Sequence, residues 1–598
     1  MLFRSLNGQD ATTDYDGFCR VTRVDRPGGD FTLMTYSLGS QPYQWVKTER
    51  KAPTSSAADK IQSVSFLDGL GRGYKTVSDG PNATFDTITS ETEFNERGGI
   101  KSTSAPYYPG DPVKWTSYDY DGINRLTGID HPGTAVSSVS YALAAATVRD
   151  ILDITSTDEI GREQKFAIDA YGNLTKRTKV KVTGAVTTEL VTQYQRDPLG
   201  RAVTIIDPKL NQWNYTYDNL GRRTEVDDPD LGTWLYTFDN ASRLKTQRDA
   251  RGVRTTLSYD DLSRVTAKVV QDLGGTGIAM ETTSNTYDDT GSVNHSSSFF
   301  NLGRLTDTRR IVPAHARGVL SIAAVDVTQR FDYDLAGRLQ KLRFDNINGG
   351  TRSLDYTYWP DGSPRDKRLA DSITWVGTHN YDLAGRLASI TNGTGSGPTY
   401  LASTMLYNAQ GQMAKIIHGN DVTTRFYYDA NRFFLNSQET RDGIVASSPL
   451  LLGFDYTRND AGMITEVTAS GGTAAQNTAR SWNYTYDGIG QLLTADRQDT
   501  AGVELTYAYD EASNMTRNSG ICSISTAMLY PPGGPTAVRP HAPSSTCGTS
   551  ASYDANGNTL TYDADGPGNL AAQLPRAIVY DGGILADPFW TNLGWTES

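Results

Sequence analysis

The chain has 598 residues, a formal net charge of −12, 33 tyrosines, 57 glycines and only 37% hydrophobic residues. An acidic chain without a basic block argues against nucleic acid or an anionic membrane surface as a partner, because both bind a basic face. No run approaches the ~18 apolar residues of a membrane span, and Met1–Asp10 lacks the pattern of a secretory signal. The excess of aromatic and turn-forming residues predicts strands.

In chain order, residues 1–110 hold degenerate copies of a short motif separated by long loops, and residues 111–520 hold a denser array. Residues 521–550 break the pattern with Pro- and Ser-rich sequence, which predicts a long loop or a plug. Residues 551–598 hold the last copies and an irregular tail. Cys522 and Cys547 flank the Pro-rich region, and the sequence leaves open whether they are bridged.

The motif reads Tyr-Asp-x-x-Gly-Arg, and 21 residues separate Tyr217 from Phe238 and Phe238 from Tyr259. A fixed period of this length indicates one supersecondary unit per repeat. The clearest copies predict a structural role for Tyr217, Asp218, Gly221, Arg222, Tyr333, Asp334, Gly337, Arg338, Tyr381, Asp382, Gly385 and Arg386. Further copies begin at Tyr15, Tyr120, Tyr358, Tyr407, Tyr428, Tyr456, Tyr486, Tyr509 and Tyr553.

Each residue type of the motif has a physical reason. The aspartate can accept hydrogen bonds from backbone N–H groups later in the turn, and the glycine supplies the positive φ that closes it. Before the turn, Trp213, Tyr215 and Tyr217 alternate with polar residues, which is the period of a strand. The pattern predicts an all-β fold of tandem hairpins joined into one long twisted sheet, with Asp and Arg of adjacent motifs close enough to pair.

With this motif, the chain resembles the RHS/YD-repeat family over about residues 12–570. Tyr107–Asp111 and Tyr118–Gly122 resemble the repeat region of insecticidal toxin-complex B and C components. The resemblance implies a β-ribbon wound into a hollow shell around a toxin polypeptide, in a secreted or cell-surface protein. It also implies a toxin cargo or another toxin-complex subunit as partner, and the motif residues carry over as structural positions.

Family members that release a cargo carry a self-cleaving aspartyl protease segment, which we do not recognise in this sequence. The tail from Pro575 to Ser598 contains Asp587-Pro588 without the surrounding pattern, so autoproteolysis is not predicted. We expect the chain to be a partial or truncated member of the family.

No catalytic residue, cofactor or metal site is predicted. The six histidines have no metal-ligand spacing, and we expect them on the surface or in turns: His131, His295, His315, His379, His418 and His541. Asp554–Asn558 and Asp563–Gly566 are similar to calcium loops but lack the twelve-position pattern that ends in glutamate. The other carboxylates follow the period of the repeat, which indicates turns and not acid–base pairs.

Three functions remain at this stage. The leading interpretation is a shell or scaffold that encloses or presents a secreted toxin and has no catalysis of its own. An extracellular adhesion scaffold that binds a glycan or a cell-surface protein is the first alternative, because aromatic stripes can stack on sugar rings. A self-cleaving enzyme is the second.

Overall fold

A computed structural model describes residues 2–4, 10–37, 44–54, 59–144, 150–183, 185–272, 279–292, 294–296, 299–317, 320–322, 324–347, 350–369, 375–392, 399–499, 504–522 and 528–562. Across these ranges the regular secondary structure is strand, except for the one helix, α1 (Ala474–Arg480). None of the helical structure in these ranges is long and apolar enough to cross a bilayer. The segment 563–566 and the tail 575–598, discussed above, lie outside the described residues.

The strands of the first half are β1 (Leu2–Arg4), β2 (Asp10–Tyr15), β3 (Val21–Asp25), β4 (Phe31–Ser37), β5 (Gln44–Lys51), β6 (Lys60–Leu67), β7 (Gly73–Asp79), β8 (Thr87–Phe94), β9 (Ile100–Ser104), β10 (Trp115–Tyr120), β11 (Leu126–Asp130), β12 (Val136–Leu143), β13 (Asp150–Thr157), β14 (Glu163–Asp169), β15 (Leu174–Thr183), β16 (Val186–Arg196), β17 (Ala202–Ile206), β18 (Gln212–Tyr217), β19 (Arg223–Asp228), β20 (Gly232–Phe238), β21 (Leu244–Arg248), β22 (Val253–Tyr259), β23 (Val265–Asp272) and β24 (Ala279–Tyr287). Those of the second half are β25 (Leu305–Val312), β26 (His315–Arg317), β27 (Leu320–Ile322), β28 (Val325–Tyr333), β29 (Leu339–Ile347), β30 (Gly350–Tyr358), β31 (Pro364–Leu369), β32 (Trp375–Tyr381), β33 (Leu387–Asn392), β34 (Thr399–Tyr407), β35 (Met413–His418), β36 (Thr423–Tyr428), β37 (Leu435–Arg441), β38 (Leu450–Arg458), β39 (Ile464–Ser470), β40 (Trp482–Tyr486), β41 (Leu492–Arg497), β42 (Glu504–Tyr509), β43 (Met515–Asn518), β44 (Ser545–Thr546), β45 (Thr549–Tyr553) and β46 (Thr559–Tyr562).

The main sheet has 41 strands and contains β1 to β25 and β28 to β43. Its strands pair antiparallel in chain order, as β18 pairs with β19 and β19 with β20, and β25 pairs directly with β28. The hairpin of β26 and β27 is separate, and β44, β45 and β46 form a small sheet. The predicted all-β fold of tandem hairpins is confirmed.

The predicted alternation along the strands is also present. In β20, Trp234, Tyr236 and Phe238 are half-buried while the residues between them are exposed, and β40 follows the same pattern. Few large apolar side chains are fully buried, because the sheet is a single layer whose two faces are only partly covered. Stability therefore comes chiefly from contacts between neighbouring strands.

In the main sheet the motif turns follow even-numbered strands, with the exception of Asp158–Arg162 after β13, so nearly all of them share one long edge, which we call the motif edge. The turns after odd-numbered strands form the other edge, which we call the opposite edge. Asp218–Arg222 lies on the motif edge after β18, and Asp207–Asn211 lies on the opposite edge after β17. The two edges therefore carry different sequences.

The ribbon returns to itself after about one half of its length. The Tyr108 hydroxyl donates to the Tyr407 carbonyl at 3.1 Å across 299 residues, and Lys209 Nζ lies 2.8 Å from Asp510 Oδ2 across 301 residues. Both contacts join the opposite edge of an early strand pair to the motif edge of a late one. We therefore divide the ribbon into a first winding, β2 to β24, and a second winding, β25 to β43, packed edge to edge.

The predicted boundary between residues 110 and 111 stays a prediction. The strand ladder passes across it without a break, because β9 pairs with β10 through Ser104 and Trp115. The Pro-rich region is described from residue 528 and packs against the first winding, where the Arg539 amide donates to the Pro229 carbonyl at 2.6 Å.

Candidate functional site

The motif turn is a closed set of local hydrogen bonds, seen clearly at Asp218–Arg222. Asp218 Oδ1 accepts from the amides of Leu220 and Arg222, each at 2.9 Å, and Asp218 Oδ2 accepts from Arg222 Nε at 2.6 Å. Gly221 has a φ of +79°, and its amide donates to the Asp218 carbonyl. The Asp218 amide donates to the Arg222 carbonyl, so the turn is a three-residue hairpin loop closed by a glycine bulge.

The other predicted motif residues take the same arrangement. Arg338 Nε donates to Asp334 Oδ2 at 2.7 Å, and Arg386 Nε donates to Asp382 Oδ2 at 3.0 Å. The glycines of these two turns, Gly337 and Gly385, also have positive φ angles. The structure thus brings each predicted Asp, Gly and Arg together within its own motif.

The expected pairing of Asp and Arg between adjacent motifs is wrong for these turns. The turn directs each aspartate onto the arginine four residues later, so the ion pair forms inside one motif. Arg264 does both, because it pairs with Asp260 at 2.6 Å and with Asp288 of the next turn at 2.8 Å. A local geometry of five residues outweighs the longer contact.

The arginine connects its motif to the next one by its remaining atoms. The Arg222 guanidinium lies 4.8 Å from the centre of the Phe238 ring, and its Nη1 donates to the Asp239 carbonyl at 3.4 Å. Arg338 repeats this contact on Tyr358 at 4.6 Å, and Arg386 repeats it on Tyr407 at 4.9 Å. Cation–π contacts of this kind hold neighbouring hairpins in register.

The motif tyrosine connects its hairpin to the preceding one. The Tyr217 hydroxyl donates to the Ala202 carbonyl at 2.8 Å, and the Tyr381 hydroxyl donates to the Pro364 carbonyl at 2.8 Å. Tyr333 donates in the same way to the Leu305 carbonyl. Burial raises the pKa of Tyr333 and of Tyr381, so both phenols remain protonated donors at neutral pH.

The turn aspartates are held as carboxylates. The Arg201 side chain holds the pKa of Asp197 below its ordinary value, and the Arg243 amide does the same for Asp239. Both effects outweigh the opposing effect of desolvation. These groups are stable anions and therefore poor candidates for general acids.

Three copies have serine where the motif has glycine, at Ser242, Ser263 and Ser513, and two of these serines contact an arginine. Ser242 and Ser263 have φ angles of +62° and +65°, a region that favours glycine. Each hydroxyl accepts a hydrogen bond at 3.2 Å from the arginine of the preceding motif, Arg222 and Arg243 respectively. The side chain offsets part of the conformational cost.

The interface between the two windings consists of residues in turns and at strand ends. Lys181 Nζ lies 2.9 Å from Asp487 Oδ2, whose side chain is 1% exposed. Asn556 Nδ2 donates to Asp249 Oδ2 at 2.6 Å, so the Asp554–Asn558 segment is a motif turn that packs on the first winding. Sequence reasoning missed these contacts because their partners lie about 300 residues apart.

His541 fixes the Pro-rich region to the first winding. Its Nδ1 lies 2.7 Å from Asp230 Oδ2, its Nε2 lies 3.2 Å from Asp207 Oδ2, and its ring stacks on Trp213 at 5.5 Å. Hydrogen bonds that His541 donates to Asp207 and Asp230 raise the pKa of His541 to about 9. A disulfide joins Cys522 to Cys547, which answers the question that the sequence left open.

One histidine contradicts the expectation of surface positions. His295 is 2% exposed and lies between Asp307 and Asp332, in a segment that interrupts the repeat. A break in an otherwise regular period was the signal that could have marked it. The prediction that the chain has no catalytic residue stays a prediction.

Comparisons with known proteins agree with this geometry. Residues 197–233 match the RHS Repeat family model, and no curated protein matches the chain. The crystal structure of TcdB2-TccC3-TEV has a TM-score of 0.73 at 14% identity, with 94% of this chain and 36% of that chain covered. TcdB2-TccC3 has a TM-score of 0.73 at 14% identity, with 96% of this chain and 34% of that chain covered. The Tc holotoxin pore of Photorhabdus luminescens has a TM-score of 0.68 at 15% identity, with 87% of this chain and 29% of that chain covered.

The fold and the turn define a β-hairpin repeat protein whose ribbon winds back on itself. More specifically, residues 197–233 carry an RHS repeat, and the chain has the fold of TcdB2-TccC3. At this identity the structural likeness shows the fold alone. The chain spans about a third of the length of those solved chains.

Proposed function

We propose that the chain forms a length of shell wall that encloses a secreted toxin polypeptide, and that it does so together with a further subunit. The observation that carries this proposal is the packing of one winding on the next. A ribbon that turns through a full circle in about 300 residues surrounds space instead of filling it.

The contacts between the windings are suited to a continuous wall. Lys181 and Lys209 of the first winding each pair with an aspartate of the second, and Arg251 pairs with Asp554 of the turn between β45 and β46. Two of those aspartates, Asp487 and Asp510, are 1% and 12% exposed, so the pairs are shielded from solvent more than ordinary surface ion pairs. Ion pairs therefore stabilise the contact between the two windings, and they also fix the register of one winding on the other.

The proposed partner is supported by a contrast at one position of the motif turn, two residues after the aspartate. Where the second winding is covered by the first, this residue is mostly small or an amide and is not exposed: Ala336, Ala384, Gln410, Asn431, Ala461 and Ala512, with Asp361 and Ile489 as half-buried exceptions. Asn556, in the turn after β45, is buried as well. On the first winding it is mostly a large apolar residue, 66% to 91% exposed: Phe18, Leu70, Ile123, Tyr171, Leu199, Leu220 and Leu262, with Arg97 and Ala241 as exceptions.

This row, which we call the apolar rim, repeats once per hairpin, or about every 10 Å for two strands. A partner of matching period is the turn edge of another hairpin ribbon, since the second winding uses the same position to contact the first. Gln410 Nε2, for example, donates to the Pro106 carbonyl at 2.7 Å. TcdB2-TccC3 has a similar fold, and its name gives two components. This supports a second ribbon as the partner.

Electron microscopy of the purified chain tests the wall. We expect a curved, hollow particle with two stacked windings, whereas a compact solid globule would refute the proposal.

Assembly with a second RHS-repeat chain tests the apolar rim. Size-exclusion chromatography with light scattering should report a complex for the native chain and loss of that complex for Leu199→Asp with Leu220→Asp. The matched control is Leu401→Asp, which changes a half-exposed leucine on a strand of the second winding. Equal assembly of the rim variant and the control would contradict the role of the rim.

The wall acts by enclosure, and we propose no reaction for it. The intact mass of the chain should stay constant during prolonged incubation. A product cut at one defined bond would instead favour the self-cleaving alternative.

A further inference from the structure

The largest departure from the repeat among the described residues of the main sheet lies between β24 and β25. Asp288–Arg304 stands where other repeats have a five-residue turn such as Asp218–Arg222. Its two ends keep the usual closing bond, since the Asp288 amide donates to the Arg304 carbonyl at 3.1 Å. The inserted residues therefore fold back from an intact hairpin end.

The insertion places His295 in the interior of the sheet. Its side chain is fully buried, with Nδ1 2.5 Å from Asp332 Oδ1 and Nε2 3.0 Å from Asp307 Oδ2. Asp289 of the same insertion supplies a third donor, and donor atoms of Asp289, His295 and Asp307 all lie within 4.8 Å of one another. Three ligand groups from two segments thus converge on one point.

Nδ1 of His295 contacts the carboxylate of Asp332, an arrangement that is typical of metal-binding histidines. A carboxylate that accepts from Nδ1 fixes the tautomer and leaves the Nε2 lone pair for a cation. Asp332 is in that position and is 0% exposed. With metal–ligand bonds of about 2.1 Å at a tetrahedral angle, two ligand atoms lie about 3.4 Å apart. His295 Nε2 and Asp307 Oδ2 lie 3.0 Å apart, so a small separation of the two side chains would admit the ion.

The local charge also matches a divalent cation. Arg330 pairs with Asp307 and Asp345, and Arg343 pairs with Asp332. With Asp289 the cluster contains four carboxylates and two guanidinium groups, so acidic side chains outnumber basic ones around His295. A dication restores balance in a site where unpaired charge is costly.

We propose that Asp289, His295 and Asp307 bind a divalent transition-metal ion of the zinc class. The mixed nitrogen and oxygen donors favour Zn²⁺ over Ca²⁺ or Mg²⁺, which prefer oxygen ligands alone. The ion would lie between His295 Nε2 and Asp307 Oδ2. Its effect is to fasten the insertion to β25, the first strand of the second winding.

The test uses the full chain after removal of metal with a chelator, followed by titration with ZnCl₂. Calorimetry and metal analysis after gel filtration should give one equivalent of zinc, and zinc should raise the melting temperature. His295→Gln should lose that equivalent. Cobalt(II) should give a ligand-field absorption band that reports an imidazole ligand.

Asp289→Asn separates the metal site from a purely structural ion-pair network. Asparagine keeps the oxygen that accepts from the Ser292 amide and leaves the His295 contacts to Asp307 and Asp332 intact. We expect at least about 10-fold weaker zinc binding.

His541→Gln is the matched control, because His541 also lies between two aspartates but no third donor of a described residue joins it. This variant should keep the zinc equivalent. Absence of stoichiometric zinc in the native chain, or equal affinity in Asp289→Asn, would overturn the proposal.

Discussion

The attachment of the Pro-rich region should depend on pH through His541. Replacement of His541 by glutamine removes ion pairs to Asp207 and Asp230 and the stacking on Trp213. The folded-state pKa of His541 is about 9, compared with an ordinary 6.5, so the folded state favours the imidazolium. Its stabilisation is complete below pH 6.5 and is lost as the pH rises through 9.

The magnitude follows from the same pKa difference. Each pKa unit corresponds to about 1.4 kcal/mol, which gives ~3 kcal/mol for a fully shielded site. The His541 side chain is 26% exposed, and solvent screening reduces the contribution to about 2 kcal/mol. Free energy of this size corresponds to a roughly 30-fold change in the population of the detached segment.

Limited proteolysis with a protease of broad pH range measures this population. Cleavage within residues 528–545 should be roughly 30-fold faster in His541→Gln than in the native chain at pH 6, when cleavage is slow relative to reclosing. The ratio should approach one near pH 10. Comparison at equal pH cancels the pH dependence of the protease. A ratio of one at pH 6, or the same ratio at both pH values, would refute the reasoning.

Three further predictions concern the repeat and the disulfide. Gly221→Ala should lower the free energy of unfolding by about 1 kcal/mol, because φ is +79° while the new Cβ meets only Arg201 Nη1 at 3.5 Å. Gly122 lies in open space at a φ outside the positive region, so Gly122→Ala should leave the free energy of unfolding unchanged. Equal losses for the two variants in denaturant unfolding would contradict this. Cys522→Ser should destabilise the loop by about 3 kcal/mol, since the disulfide spans 25 residues. Proteolysis between the two cysteine positions should then be faster. An unchanged proteolysis rate would argue against the disulfide. Because the pKa values of Asp197 and Asp239 are lowered in the folded protein, their contribution to stability is present above pH 4 and is lost as the pH falls through the folded-state pKa values. Circular dichroism should therefore show loss of strand signal below about pH 4. An intact signal at about pH 2 would contradict this prediction.

The local structure could be predicted because its contacts lie within a few residues. Asp218, Gly221 and Arg222 form one turn, and the alternation that ends at Tyr217 defines the strand before it. The partner of the arginine was harder to predict, because the arginine could reach either the aspartate four residues before it or the aspartate of a neighbouring motif. The hairpin bulge decides for its own aspartate and leaves the guanidinium face for the next aromatic ring.

The winding could not be predicted from the repeat itself. Lys209 and Asp510 are ordinary turn residues, and their contact depends on the accumulated twist of many strands. His295 was missed for a different reason, since a lone histidine carries no spacing signal. Its burial depends on an insertion whose path is set by Asp307 and Asp332, on strands that follow later in the chain.

The distance between Leu210 and Glu511 tests the winding most directly. Both residues are exposed and flank the Lys209–Asp510 contact, so spin labels at these positions should not disturb it. Pulsed dipolar spectroscopy should give a distance on the order of 10–20 Å, that of neighbouring turns. An unwound ribbon would place the labels about 110 Å apart at ~4.8 Å per strand. Absence of a short distance in the monomeric chain would contradict the wound ribbon.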